Sequence, residues 1–286
     1  MANKNYCYIH ACNINNGLEI LKELLDKIKS STLDTVLEKI RISILGPISK
    51  STLSNIEKYN SKVEIIYTND NIKLYEYPTL KLIHQFSIDN DDCNILYIHT
   101  KGASKPHIKG EVSWRHYMTY FTIEKYRECL RILKSGYDTV GCDLKTGSNK
   151  FKYLHYAGNF WWASSKYLGK KLPDPQQFVT QQHYYRESKI YRFYAEEWIM
   201  MSNNVKAYCF FYSNRDLIKY PIHSMEYKDG DIPYLNYLNN LKHLKIIDNS
   251  KYHHLSSKYL NQRNKSIRSK NENKKESNNN VGKSAN

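Results

Sequence analysis

The run Asn94-Ile-Leu-Tyr-Ile-His-Thr-Lys-Gly102 constrains this chain most, because an uninterrupted apolar strand stops abruptly in three polar groups and a glycine. Ile95 to Ile98 lack any polar alternation, the pattern of a central parallel strand covered on both faces. In open α/β sheets, ligands collect in the crevice beyond the carboxyl ends of such strands. His99, Thr100 and Lys101 are therefore expected at the mouth of a crevice. Gly102 would let the backbone turn sharply or approach a ligand closely. Lys101 adds a point positive charge suited to a phosphate. A surface loop after a core strand is the plainer reading of the same residues.

The segments around this run set the fold class. Tyr6 to Ala11 reads as a first strand, followed by a helix over Leu18 to Lys29 with Leu18, Leu21, Leu25 and Ile28 at helical spacing. Further strands are expected at Arg41 to Leu45 and Val63 to Tyr67, a helical turn at Leu53 to Tyr59, and a helix from Pro78 to Phe86. Strand alternating with helix is the rhythm of a doubly wound, mostly parallel sheet flanked by helices. Beyond Gly102 the pattern predicts a long helix over Trp114 to Lys134, strands at Thr139 to Leu144 and His155 to Ala163, a helix at Tyr191 to Met201 and a late strand at Val205 to Tyr212. The 286 residues suit one such domain, residues 1–248, with a basic tail, residues 249–286, too polar to order itself.

Charge and cysteine content narrow the function classes. The formal net charge is +15, of which about +5 lies in Asn261 to Asn286. A basic balance can mean nucleic acid, an anionic surface or phosphorylated substrates. Lys and Arg are interspersed with Asp and Glu, however, and no nucleic-acid reader motif occurs. Nucleic acid is thus a disfavoured partner. Six cysteines occur without a Cys-x-x-Cys pair and read as reduced core residues. Zinc at Cys7, His10 and Cys12 is disfavoured, since strand alternation puts the two thiols on opposite faces. Without a signal peptide or a run of about 18 apolar residues, a soluble, cytoplasmic protein is expected.

Two further constellations could carry chemistry. In His155-Tyr-Ala-Gly-Asn-Phe-Trp-Trp-Ala163, the adjacent Trp161 and Trp162 must face opposite sides of a strand, and Gly158 suggests close approach by a ligand or another backbone. Aromatic faces beside the Asn159 amide and His155 suit a sugar ring. Two large core residues on a packed strand would look the same. In Tyr194-Ala-Glu-Glu-Trp-Ile-Met-Met201, Glu196 and Glu197 flank an apolar helical stripe about 100° apart, so one could face a cleft while the other is solvated. A carboxylate at the edge of an apolar face can have a raised pKa and act as a general base.

Taken in order, these segments resemble a glycosyltransferase-like family of the GT-A fold found in bacteria and large DNA viruses. The resemblance is carried by His99 to Gly102, Trp114-Arg115, Ala157 to Ala163, and Glu196 with Trp198, and covers roughly Tyr6 to Tyr212. Tyr75 to Leu80 also fits. It implies transfer of a sugar from a nucleotide-sugar donor to a hydroxyl on a glycan or glycoconjugate acceptor. Such enzymes usually hold a divalent metal with Asp-x-Asp at the strand end beside the donor. Here that position carries His99-Thr-Lys101, and the acidic run Asp89 to Asp92 precedes the strand.

The expectation is accordingly a metal-free site with no cofactor. Lys101, helped by His99 and Arg115, would stabilise the departing diphosphate, and Glu196 would deprotonate the acceptor, with Glu197 in reserve. Asn69 and Asp70 could meet the base or ribose, and Asp143 the sugar or a metal, although plain turn residues are the simpler reading. A nonenzymatic carbohydrate-binding module and a nucleic-acid-binding protein remain as alternatives.

Overall fold

The computed structural model describes residues 3–145, 154–177, 191–213 and 215–228. The expected tail lies outside them. Among the described residues the chain forms a mixed α/β fold, with a seven-stranded sheet in the order β3-β2-β1-β4-β8-β5-β9. The strands are β1 (Lys4–Cys12), β2 (Leu37–Leu45), β3 (Val63–Asn69), β4 (Cys93–His99), β5 (Thr139–Gly141), β8 (Trp161–Ser164) and β9 (Ala207–Cys209). A small second sheet pairs β6 (Leu144–Lys145) with β7 (His155–Tyr156).

Helices cover both faces, as the unbroken apolar strands require. One face carries α1 (Gly17–Ser30), α5 (Lys109–Thr119) and α6 (Tyr126–Lys134), together with the short α2 (Leu33–Val36) and α3 (Lys50–Glu57). The other carries α4 (Tyr77–Asp89), α7 (Ser165–Lys170) and α8 (Tyr191–Glu197). The short α9 (Met225–Lys228) adds Tyr227 to the first face. Strand residues alternate between two cores: Leu96 and Ile98 face the first, Ile95 and Tyr97 the second. Fully burying one such aliphatic side chain contributes about 1.5–3 kcal/mol, so the two apolar layers dominate stability. All six cysteines are free thiols, five buried and Cys12 half-buried.

Three expected elements differ in form. The segment Trp114 to Lys134 is not one continuous helix: α5 starts five residues earlier, and a π-helical turn at Tyr120–Glu124 separates it from α6. The extra residue of a π turn resets the helical phase, so Tyr117 and Met118 before it and Tyr126 and Cys129 after it all reach one core. His155 to Ala163 is not one strand either. Gly158 (φ +88°) and Asn159 (φ +58°) turn the chain between β7 and β8. Gly158 admits no side chain because a Cβ there would lie 2.4 Å from the Met118 sulfur. Asp143 (φ +54°) likewise ends β5 early.

β4 pairs parallel with β1 and antiparallel with β8. From β1 the chain moves outward through β2 and β3, then crosses back to lay β4 on the other side of β1. The crevice beyond the carboxyl ends of β1 and β4 is therefore the topological switch point, where open α/β sheets form their ligand sites.

Candidate functional site

A cavity of about 240 Å³ lies at that switch point. His10 and Cys12 reach it from β1, Tyr75 and Glu76 from the start of α4, His99 to Lys105 from the loop after β4, Glu111 from α5, and Arg192 with Glu196 from α8. His99, Thr100, Lys101, Gly102 and Glu196 thus line one cavity.

The loop after β4 is tightly held. Thr100 donates its N–H to the His10 carbonyl at 3.0 Å and accepts the Cys12 N–H on its hydroxyl at 3.0 Å, clamping the two strand ends together. Gly102 has φ +93°, and a Cβ there would press on the Arg115 guanidinium at 3.2 Å and on Glu111 at 3.3 Å. Its close approach is to α5. Lys101 lies over the face of Trp114, its ammonium 4.0 Å from the ring centre and 3.5 Å from Glu111 Oε2. Lys105 sits 3.9 Å from Glu111 Oε1.

Arg115, expected to help with the diphosphate, belongs to the scaffold. Its Nε and Nη2 grip both Glu23 oxygens at 3.2 and 2.7 Å, and Nη1 donates to the Lys101 carbonyl at 2.8 Å. A guanidinium so engaged and buried fixes the loop from behind. His99 also departs from the role of a cationic helper. Burial, with Lys101 nearby, pushes its pKa down to about 3, so the imidazole is neutral at pH 7. Its Nε2 donates to the Gly158 carbonyl at 2.8 Å, which leaves Nδ1 as an acceptor.

The two glutamates of α8 part company. Glu196 lines the cavity, and burial raises its carboxyl pKa, with Glu76 pushing the same way and Lys101 opposing. Glu197 is buried away from the cavity lining, so it is not the solvated residue the helical spacing suggests.

The remaining candidates lie elsewhere. Trp161 and Trp162 are wholly buried in opposite cores and cannot stack on a ligand; the Trp162 indole donates to the Thr122 carbonyl at 2.7 Å. Asn159 is buried too: Oδ1 accepts the Trp161 indole N–H at 2.9 Å while Nδ2 donates to Glu76 Oε2 at 2.6 Å and to the Ala195 carbonyl at 3.3 Å. It holds the cavity wall together without lining it. His155 is buried and outside the lining, as is Gly158. Asn69 and Asp70 are exposed at the end of β3, where Asn69 Oδ1 accepts the Asn71 N–H in a turn. Asp143 is fully buried at the end of β5, bonded through Oδ1 to Ser213 and 3.2 Å from the Lys145 ammonium through Oδ2.

Sequence reading misses several lining residues. His10 enters it only within a disfavoured zinc trio with Cys7 and Cys12. In the sheet it is the register partner of His99, bonds Thr79 at 2.8 Å, and is pushed down to about 4 by burial. Glu76 appears only within the segment Tyr75 to Leu80. Glu111, Lys105 and Arg192 carry no motif. A polar side chain inside an otherwise apolar strand was the one available signal for His10.

Among the described residues, no three His, Cys, Asp or Glu side chains gather so as to hold a metal, and no helix is long and apolar enough to cross a membrane. A sequence profile of the domain of unknown function DUF8361 matches residues 7–210. The chain belongs to that family. Comparison with curated proteins gives no match. Among solved structures, 4-diphosphocytidyl-2C-methyl-D-erythritol synthase from Anaerococcus prevotii is similar at 12% identity and TM-score 0.33, covering 72% of this chain and 86% of that one. A Desulfovibrio desulfuricans protein described as a nucleotide-diphospho-sugar transferase is similar at 10% identity and TM-score 0.32, covering 65% and 78%. The likeness is loose.

Proposed function

We propose that this DUF8361 protein is a glycosyltransferase that moves a sugar from a nucleotide-sugar donor to a hydroxyl acceptor without a metal. The observation that carries the proposal is the opposition, across one cavity at the switch point, of a lysine loop and a carboxyl made more basic by burial. Lys101 is held in place by Trp114 and Glu111, so it meets developing negative charge without reorganising. Lys105 and Arg192 add positive charge at the same cavity.

In the reaction, the bond from the sugar's anomeric carbon to the diphosphate breaks, and its electron pair leaves on the diphosphate, facing Lys101. The acceptor oxygen takes its place on that carbon. Glu196 removes the acceptor's proton, a step for which a raised carboxyl pKa is suited.

The test is release of nucleoside diphosphate from UDP- and GDP-sugars, with and without glycan acceptors and with and without EDTA. Release insensitive to EDTA and lost in Lys101→Ala is expected. Full turnover by Lys101→Ala, or abolition by EDTA, would remove the metal-free mechanism. Sugar nucleotides that bind but never turn over would favour a nonenzymatic carbohydrate-binding module instead.

A further inference from the structure

The hydrogen-bonding polarity of the cavity is uneven, and this bears on which sugar it takes. Asn159 sets one side of it. The Trp161 indole can only donate, so it fixes the Asn159 amide with oxygen toward the indole and nitrogen toward Glu76. Glu76 Oε2 then accepts twice, from Asn159 at 2.6 Å and from the Tyr97 hydroxyl at 2.5 Å. Both donors fall on Oε2, which leaves Oε1 as the free oxygen of this carboxyl.

Glu111 is 4% exposed, and its Oε2 is closed off from solvent 3.5 Å from the Lys101 ammonium, so it anchors the lysines rather than meeting a ligand. His99 presents Nδ1, also an acceptor. Glu196 completes the set. Side-chain donors come only from Lys101, Lys105 and Arg192 among the charged lining residues, two of them on the loop after β4. A ligand that satisfies both kinds of group is anionic where it meets the lysines and rich in hydroxyl groups where it meets the carboxylates.

We infer that the transferred unit is a neutral, polyhydroxylated sugar, and that Glu76 selects against sugars bearing a carboxylate. The inference deepens the glycosyltransferase reading and rests on it. A sugar hydroxyl donates to Glu76 Oε1, whereas a uronate brings a second negative charge beside that carboxylate and offers one donor fewer.

Matched donors that differ only at that carbon test it: UDP-glucose against UDP-glucuronate, and GDP-mannose against GDP-mannuronate, titrated calorimetrically into the full chain alongside UDP and GDP. The neutral member of the pair with the recognised base should bind about tenfold tighter or better, since an unpaired like charge is costly in a desolvated site. Glu76→Gln should narrow the gap by improving uronate binding, because Gln keeps an oxygen for Tyr97 and Asn159. Equal or tighter binding of the uronate would overturn the inference while leaving the transferase reading intact. Failure of every nucleotide and nucleotide sugar to bind would overturn both.

Discussion

Donation from His99 Nε2 to the Gly158 carbonyl at 2.8 Å ties the end of β4 to the turn that precedes β8. The bond needs a protonated Nε2 only, so the ring can remain neutral in the apolar surround of Tyr97 and Phe160. His10 is its neighbour across the parallel pair, buried where His99 is half-buried, and likewise neutral.

Acid should therefore weaken the fold through these two rings. Unfolded, each histidine takes a proton near pH 6.5, whereas the folded chain holds His10 down to about 4 and His99 to about 3. The unfolded state binds more protons as pH falls below that point, so stability is fully present above pH 6.5 and declines toward pH 4. Glu196, raised by burial, works in the opposite sense. Urea unfolding should give a loss on the order of 2 kcal/mol per histidine between about pH 6.5 and about pH 5. His10→Gln should flatten that slope; an unchanged slope in the variant would show that His10 titrates normally.

Glu196→Gln should reduce turnover by about 100-fold or more with little change in melting temperature, the usual scale for removing a positioned general base. In the native chain, activity should rise with pH through the Glu196 ionisation, later than an ordinary carboxyl would allow. Steady-state rates across pH check both. A rate half-maximal at about pH 4.3 or below would contradict the burial of this group.

Arg115→Ala should cost stability on the order of 2 kcal/mol, less than a fully buried pair because Glu23 is partly exposed. The lost contacts include two bonds to Glu23 and one to the Lys101 carbonyl, so Arg115→Lys should restore little. Thermal melts of both variants decide this. Unchanged melting together with lost nucleotide binding would instead make Arg115 a direct ligand.

Trp162→Phe should destabilise by about 1–3 kcal/mol, chiefly because the Thr122 carbonyl loses its donor in a dry core. Nucleotide affinity of the folded fraction should stay the same, since Trp162 lies in the core away from the cavity. Denaturation midpoints and nucleotide titrations together test the assignment. A selective loss of binding without loss of stability would return the indole to the site.

Much of the fold was legible because helix and strand periodicities are local. α1 reads directly from its apolar spacing, with Leu21, Leu25 and Ile28 buried as expected. The strand that ends in His99 is central, and its end opens on the cavity. The break at Gly158 and Asn159 was not legible, because an apolar run looks alike whether it is one strand or two pieces around a left-handed turn. The same ambiguity hid the π-helical turn at Tyr120, where apolar residues continue on both sides.

What the sequence determined by itself was the set of covered strands, the faces of the helices and the polar groups that stand where β4 ends, since each depends on neighbours only a few residues away. Only the tertiary structure decided which of those groups meet. Glu76 and Asn159 are 83 positions apart and hydrogen-bonded, while Arg115 turns to Glu23 across 92 positions and leaves the cavity to Lys101. Such pairings follow from strand order and helix docking. Burial then keeps His10 and His99 neutral and makes the Glu196 carboxyl a weaker acid, because a side chain's pKa answers to the solvent it has lost and the charges packed against it.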